Sequence, residues 1–327
     1  MTTRGMIGYS LGPLLSMHEV LACAKMADSQ ENVDSLWVPE SWGRESFSTL
    51  GAISQVTKRV RLGTSIISIY ARTPATVAMG ATTLDMLSGN RTIIGLGTST
   101  EAIVENWHGL KFEKPASRMK EYVECLRLML SGKRVEYSGR IFKVNNFKIL
   151  HQPQRERVPI FMAAVNKNMV SLASEIADGV LLYLRPIAEL KKTASELKRA
   201  ARERNFEIAM SFICAVSDRE PEKARERAAK TLAFYVSVGK YYGKFLSENG
   251  FQTEVENIRS AYGTGGADAA AKFVPDNMLD SLAICGTKEE CRKSLSRFQD
   301  AGITLPIMQV NPVEDAEGSF REMLSTF

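Results

Sequence analysis

Histidine is scarce in this chain: His18, His108 and His151 are the only three, and their separation leaves a histidine-based metal site nothing to build on within a local motif. The five cysteines, Cys23, Cys125, Cys214, Cys285 and Cys291, are isolated, odd in number and without a CxxC pair. Free thiols in a reducing cytoplasm are expected, and no metal. No run approaches the roughly 18 apolar residues of a membrane span, and residues 1–13 lack the basic start and apolar core of a secretory signal. Neither export nor membrane spanning is expected. The standard catalytic sets are missing as well: no GxSxG elbow, no HExxH, no P-loop, no cysteine with a local histidine partner, and no GxGxxG turn after the first apolar run. The net charge of +5 is spread along the chain. Its most basic helical stretch, Leu190 to Arg204, carries no aromatic or groove-reading motif, so no nucleic-acid partner is expected.

What is present is ordinary soluble composition, 44% apolar and 24% charged, organised around Arg59 to Gly109. Two apolar runs there, Val60 to Ile69 and Thr92 to Leu96, read as buried strands. Between them Pro74 to Leu87 has helical spacing and stops at Ser88-Gly89-Asn90. Two parallel strands need such a crossover, and strands buried on both faces lose the apolar/polar alternation. Each strand ends in the same triplet, Gly63-Thr64-Ser65 and Gly97-Thr98-Ser99. In parallel α/β folds the C-terminal strand ends form the ligand crevice, so the triplets are candidate floor and wall of one site.

The rest of the chain extends the pattern. Met6 to Leu11, Val33 to Val38, Val158 to Ala164, Gly179 to Tyr183, Ile208 to Val216, Leu282 to Cys285 and Ile303 to Val310 read as further strands, with helices between most of them. Val135 to Ile149 alternates around Ser138-Gly139 and reads as an inserted hairpin. Pro221 to Phe273 is helical, broken at Gly263 to Gly266, and longer than one crossover requires. With no linker and no repeat, the expectation is one (β/α)8 TIM barrel with insertions spanning residues 1–327. The second strand leaves through Pro39-Glu40-Ser41-Trp42-Gly43, where a carboxylate and an indole read as ligand contacts. A strand-end region lined by Gly, Thr, Ser, Ile and Trp, with few titratable groups, suits an enzyme whose cofactor does the chemistry.

Five ordered motifs, WVPESW, LGTSI with ARTPATVA, NRTIIGLGTS, SEIADGVLL and ICGTKEECRKSLSRFQDAGIT, resemble the bacterial-luciferase-like flavin and deazaflavin oxidoreductases over nearly the whole chain. The resemblance is strongest to members that use coenzyme F420, particularly the methylenetetrahydromethanopterin reductases. It implies that Thr64, Ser65 and Ile66 form a bulge containing a non-proline cis peptide behind the central ring of the cofactor. Glu40 and Ser41 then border the ring, Gly97, Thr98 and Ser99 lie beside it, and backbone N–H groups of Ala164, Val165 and Asn166 hold the phosphate. Ser10, Trp42 and Thr100 are the substrate-side candidates.

The chain also departs from the family. Ser10 stands where the reductases carry a glutamate, and Ser41 and Thr100 stand where the sugar-phosphate dehydrogenases carry His and Glu; no general acid is named. Hydride transfer between C5 of F420 and a carbon of a small-molecule substrate is the implied reaction, with an FMN-dependent monooxygenase and a non-catalytic flavin binder as alternatives. A homodimer through Met17 to Ala27 and Phe47 to Val56 is implied too. The positive charge suits a polyanionic cofactor tail, with Lys167 and Arg185 as expected rim residues.

Overall fold

Strands enclosed on both faces need apolar residues at consecutive positions, and the helices outside them need one apolar stripe. The chain alternates these two patterns. The computed structural model describes residues 6–40, 43–201 and 204–327. Its strands are β1 (Ile7–Ser10), β2 (Val33–Val38), β3 (Arg61–Thr64), β4 (Ile67–Ser68), β5 (Thr92–Gly97), β6 (Val135–Ser138), β7 (Lys143–Phe147), β8 (Ile160–Ala163), β9 (Gly179–Tyr183), β10 (Glu207–Val216), β11 (Ala283–Gly286) and β12 (Leu305–Val310). Among the described residues eight of them, β1, β2, β3, β5, β8, β9, β10 and β12, pair in parallel in that order, and β12 returns to β1. The ring is closed and helices lie between its strands, so the fold is the (β/α)8 barrel that the sequence pattern implies.

Two details differ from the sequence reading. The run Val60 to Ile69 is not one strand: β3 pairs β5 only at Leu62 and Gly63, β4 resumes at Ile67, and residues 65–66 bulge between them. The run Leu282 to Cys285 becomes β11, which lies against the C-terminal half of β10 and stands outside the ring. The hairpin β6/β7 is where the alternation put it, held by Glu121 accepting from the N–H groups of Arg140, Ile141 and Phe142. The long insertion forms helices Pro221–Val238, Lys240–Leu246 and Gln252–Ala271, the last interrupted by non-helical Gly265 and Gly266. A C-terminal helix, Ala316–Thr326, follows the last strand.

Inward-facing residues fill the barrel. Trp37, Ile93, Phe161, Leu181, Ala209, Leu305 and Ile307 form one cluster, topped by the partly buried Ile66 and Ala163. Trp37 is seated because Gly63 on the next strand has no side chain: a Cβ there would lie 2.3 Å from the indole. Its Nε1 donates to Ser35 Oγ at 2.8 Å, so burial leaves no polar atom stranded. At the opposite end, Arg61 on β3 binds Asp34 on β2 at 2.6 Å and Glu207 on β10 at 2.7 Å. β3 and β10 are four strands apart in either direction round the ring, so Arg61 ties the base of the barrel across its diameter.

On the outside, large apolar side chains left exposed include Leu14, Met17, Met79, Met86 and Leu87. Most of these lie on the helix Pro74–Ser88 or near the start of the helix Met17–Asp28. The helix Ser46–Ser54, expected to contribute an apolar face, exposes no large apolar side chain. No described helix is long and apolar enough to cross a membrane.

Candidate functional site

Side chains on a barrel strand alternate inward and outward, so the layer above the filled interior can be counted. Leu181 and Ile307 face inward, which places Tyr183 and Gln309 one step higher on β9 and β12. A Cβ on Gly8 would meet Trp37 and Ile307, which places Ser10 in the same layer. Gly97 and Ala163 complete it on β5 and β8. This ring of residues lies at the C-terminal ends of the strands, where barrels place their chemistry.

The bulge at 65–66 brings Ile66 over the mouth. The Ser65–Ile66 peptide is cis, as the resemblance implies. Because the ladder between β3 and β5 lapses there, Thr64 replaces it: its buried hydroxyl donates to the Gly95 carbonyl at 2.9 Å and accepts from the Gly95 N–H at 2.8 Å. Ser65 N–H donates to the Val38 carbonyl at 2.9 Å, and Ile69 N–H to that of Gly97 at 3.0 Å. Both ends of the bulge are therefore fixed. Ile66 reaches across Gly97, where a Cβ would sit 2.6 Å from its Cδ1 and 3.4 Å from the Ala163 methyl. Ile66, Gly97 and Ala163 form one shallow apolar pad. Beside it the Ser65 hydroxyl is buried with no protein partner.

Other candidates divide between site and scaffold. Glu40 has its carboxylate taken up by Arg72, at 2.9 Å and 3.0 Å, and by the Ser46 N–H at 2.9 Å. Arg72 also binds Glu45 at 2.6 Å, and its pKa is raised first by the Glu40 bond. Glu40 thus clasps the loop after β2 to the loop after β4. Ser41 and Trp42 lie outside the described residues. Thr98 donates to the Ser99 carbonyl at 3.4 Å, Ser99 has a left-handed φ of 59°, and Thr100 caps the helix Glu101–Asn106 through the Ile103 N–H. Ser10 is buried in the mouth layer.

The loop Ala164, Val165, Asn166 opens the helix Lys167–Ile176, with Asn166 Oδ1 capping the Met169 N–H at 3.0 Å. Arg185 anchors that loop from beneath, donating to the Val165 carbonyl at 2.5 Å and to Thr193 Oγ1 at 3.0 Å. Its guanidinium lies over the Phe245 ring at 4.6 Å. The expectation that Arg185 lines an exposed rim is corrected: it is 2% exposed, and burial lowers its pKa to about 10. Lys167 is exposed.

Facing the pad is a polar aromatic wall that motif reading missed. Tyr183 donates to Gln309 Oε1 at 2.8 Å. Tyr235 and Tyr242, from the insertion helices, meet the Tyr183 ring edge-on at 5.1 Å and 5.5 Å. Burial, then the neighbouring phenols, raise the Tyr183 pKa well above its usual value, so it stays a neutral donor. Asn311 accepts from Thr231 at 2.7 Å and donates to the Gln309 carbonyl at 2.9 Å, fixing the strand end. Counting every second residue outward from Leu181 and Ile307 would have found this pair. Among the described residues no cluster of His, Cys, Asp or Glu is placed to hold a metal ion.

The chain is similar to known proteins over most of its length. Residues 2–305 match the family described as luciferase-like monooxygenase. A Mycobacterium tuberculosis protein named for coenzyme F420-dependent oxidoreduction is 30% identical, covering 90% of this chain and 91% of that one. The 5,10-methylenetetrahydromethanopterin reductase of Archaeoglobus fulgidus is 28% identical over 91% of each. The solved structure of the coenzyme F420-dependent tetrahydromethanopterin reductase from Methanopyrus kandleri superposes with a TM-score of 0.88 at 23% identity, covering 99% of this chain and 98% of that one. That superposition shows the shared fold.

Proposed function

Because this chain belongs to the luciferase-like monooxygenase family, we propose that it is a coenzyme F420-dependent oxidoreductase whose small-molecule substrate sits at the barrel mouth. The observation that carries the reading is the pad. Partly exposed Ile66 and Ala163, with Gly97 between them contributing no side chain, present a flat apolar surface of the kind a tricyclic ring stacks on. The buried, unpartnered Ser65 hydroxyl is a donor that such a ring's polar edge would satisfy. The residues fit the group. Similarity to the Mycobacterium protein supports the deazaflavin in particular.

When bound, F420 supplies hydride chemistry at C5, to or from a substrate carbon. The protein's part is position: hydride donor and acceptor carbons react when held about 3–3.5 Å apart. Ile66 and Ala163 supply a surface fixed by the backbone bonds on either side of the bulge. Arg185 holds the loop 164–166, and the free N–H groups at the start of the helix Lys167–Ile176 would receive a phosphate. Inner apolar faces exclude water from one side of the mouth. Similarity to the Archaeoglobus enzyme supports a methylenetetrahydromethanopterin reductase-like reaction. FMN is the second reading for the cofactor, favoured by the family's description as monooxygenases.

Titration of the purified chain with F420 and with FMN, followed by fluorescence, tests the assignment. Saturable F420 binding at least tenfold tighter than FMN is expected. Tight FMN uptake with F420 ignored would refute the cofactor while sparing the family. We also infer a homodimer, supported by the uncovered Met17, Met79, Met86 and Leu87. A single monomer mass by light scattering at micromolar concentration would remove it.

A further inference from the structure

The mouth layer has two unlike halves. Ile66, Gly97 and Ala163 on one side, and Tyr183, Gln309 and its register neighbour Ser10 on the other, carry no formal charge. The cation on β9's own continuation, Arg185, is buried, bonded to the Val165 carbonyl and Thr193 and paired with the Glu189 carboxylate at 3.6 Å. Glu40 is committed to Arg72. An anionic group entering this mouth would leave water without finding a free counter-charge among these residues, which is costly.

Hydrogen-bond capacity is available instead. Gln309 is partly exposed and its amide oxygen accepts from Tyr183. Its nitrogen carries two hydrogens, and the Tyr235 hydroxyl can take one of them. Tyr183 Oη, having donated its proton, keeps acceptor capacity. Around them stand the rings of Tyr183, Tyr235 and Tyr242, whose mutual edge-on contacts hold each in place. Such a surface pairs a directed amide donor with aromatic walls.

We infer that Gln309, oriented by Tyr183, is the specificity-determining residue of a substrate subsite that takes an uncharged planar group bearing a carbonyl or ring-nitrogen acceptor, and discriminates against carboxylates and phosphates. This rests on the oxidoreductase reading for which side of the mouth the substrate occupies. Tyr235 and Tyr242 come from the long insertion after β10, so the subsite draws on helices beyond the eight barrel strands. Gln309 acts by binding and needs no proton transfer.

Nicotinamide and nicotinate are matched probes, alike in shape and different in charge at neutral pH. Their binding to the full chain, as purified and after saturation with F420, is measured by NMR titration. Nicotinamide is expected to bind at least tenfold more tightly than nicotinate. Gln309→Leu should weaken nicotinamide about tenfold, the size of one neutral hydrogen bond lost with its partner left unpaired, and leave nicotinate unmoved. Tyr183→Phe, which keeps the ring packing, should shrink the preference severalfold. Equal binding of the two probes overturns the proposal, as does a preference that survives both substitutions or a failure of nicotinamide to saturate. F420 affinity, titrated in parallel, separates the two readings: a chain that ignores F420 yet keeps the preference retains the subsite and loses the cofactor assignment. A chain that binds F420 with no preference loses the subsite alone.

Discussion

Gly97→Ala is the sharpest test of the apolar pad. The added Cβ would lie 2.6 Å from Cδ1 and Cγ1 of Ile66 and 3.4 Å from the Ala163 Cβ, whereas carbon atoms pack comfortably at about 3.5–4.0 Å. Ile66 must therefore retreat by roughly 1 Å, while Ala163 need hardly move. The backbone resists sharing the shift, since Ile69 N–H bonds the Gly97 carbonyl at 3.0 Å and β4 pairs β5 at Leu96 and at Gly97 itself. A β-branched side chain is stiff at χ1, so Ile66 must change rotamer or tilt off the mouth. Overpacking of this kind costs about 1–3 kcal/mol, and the lost platform should raise the F420 dissociation constant about 10–100-fold, since each 1.4 kcal/mol is tenfold. Ile66→Val removes Cδ1 and with it part of the collision. The double variant should thus bind F420 better than the two single effects predict, by about 1 kcal/mol of coupling. Fluorescence titration and thermal melting of the four proteins decide the matter. If Gly97→Ala loses stability but keeps wild-type F420 affinity, the pad is packing and carries no cofactor.

Three further outcomes follow from the framework. Thr64→Val keeps shape but strands the Gly95 N–H and carbonyl that the hydroxyl serves; urea denaturation should show a loss of about 2–4 kcal/mol, and a loss below about 0.5 kcal/mol would show that water replaces the hydroxyl. Arg61→Met removes the tie across the barrel base and leaves Glu207 and Asp34 facing each other without their shared cation, which should cost about 2–3 kcal/mol, checked by thermal melting, with F420 affinity unchanged because the site is at the other end. At Asp178, burial alone would raise the carboxyl, but Arg127, the Ile160 N–H and Arg157 outweigh it and hold it below the ordinary value. A depressed carboxylate stabilises the fold above its unfolded-state pKa of about 3.9 and loses that contribution as pH falls through the lower folded value; Asp178→Asn should therefore cost about 2–4 kcal/mol at neutral pH and progressively less below about pH 4, and a penalty independent of pH would contradict it.

The barrel was legible because its strands carry a local signature. Val33–Val38 and Gly179–Tyr183 are apolar runs closed by turn residues, and the structure places β2 and β9 on those residues. What local pattern does not carry is pairing. The run from Val60 to Ile69 looks continuous in sequence, and only its opposition to β5 shows where the ladder lapses and Thr64 takes over. Arg185 misled for the same reason: a basic residue just past a strand reads as exposed, yet the Phe245 ring and the Val165 carbonyl that bury it come from 60 residues later and 20 residues earlier. The partner of Glu40 is equally beyond local reach: Arg72 comes to it from the loop after β4.

The two halves of the mouth differ in how they are built, and that difference explains which half a motif can reveal. The apolar half rests on Trp37 and Phe161, with ring centroids 5.7 Å apart, and consists of residues no larger than isoleucine, on strands or in the bulge, that backbone bonds fix. Small residues there are forced by close approach, so they recur as triplets that a reader can recognise. The facing half is composed of long side chains from β9, β12 and two insertion helices, fixed by contacts between the side chains themselves. Many residue sets could satisfy that geometry, so nothing in the local sequence singles out Tyr183 or Gln309. A floor fixed by backbone bonds beside a wall fixed by its own side-chain contacts is an arrangement in which the wall can be rebuilt without disturbing the floor, and the helices between β10 and β11, where Tyr235 and Tyr242 lie, are half of that wall.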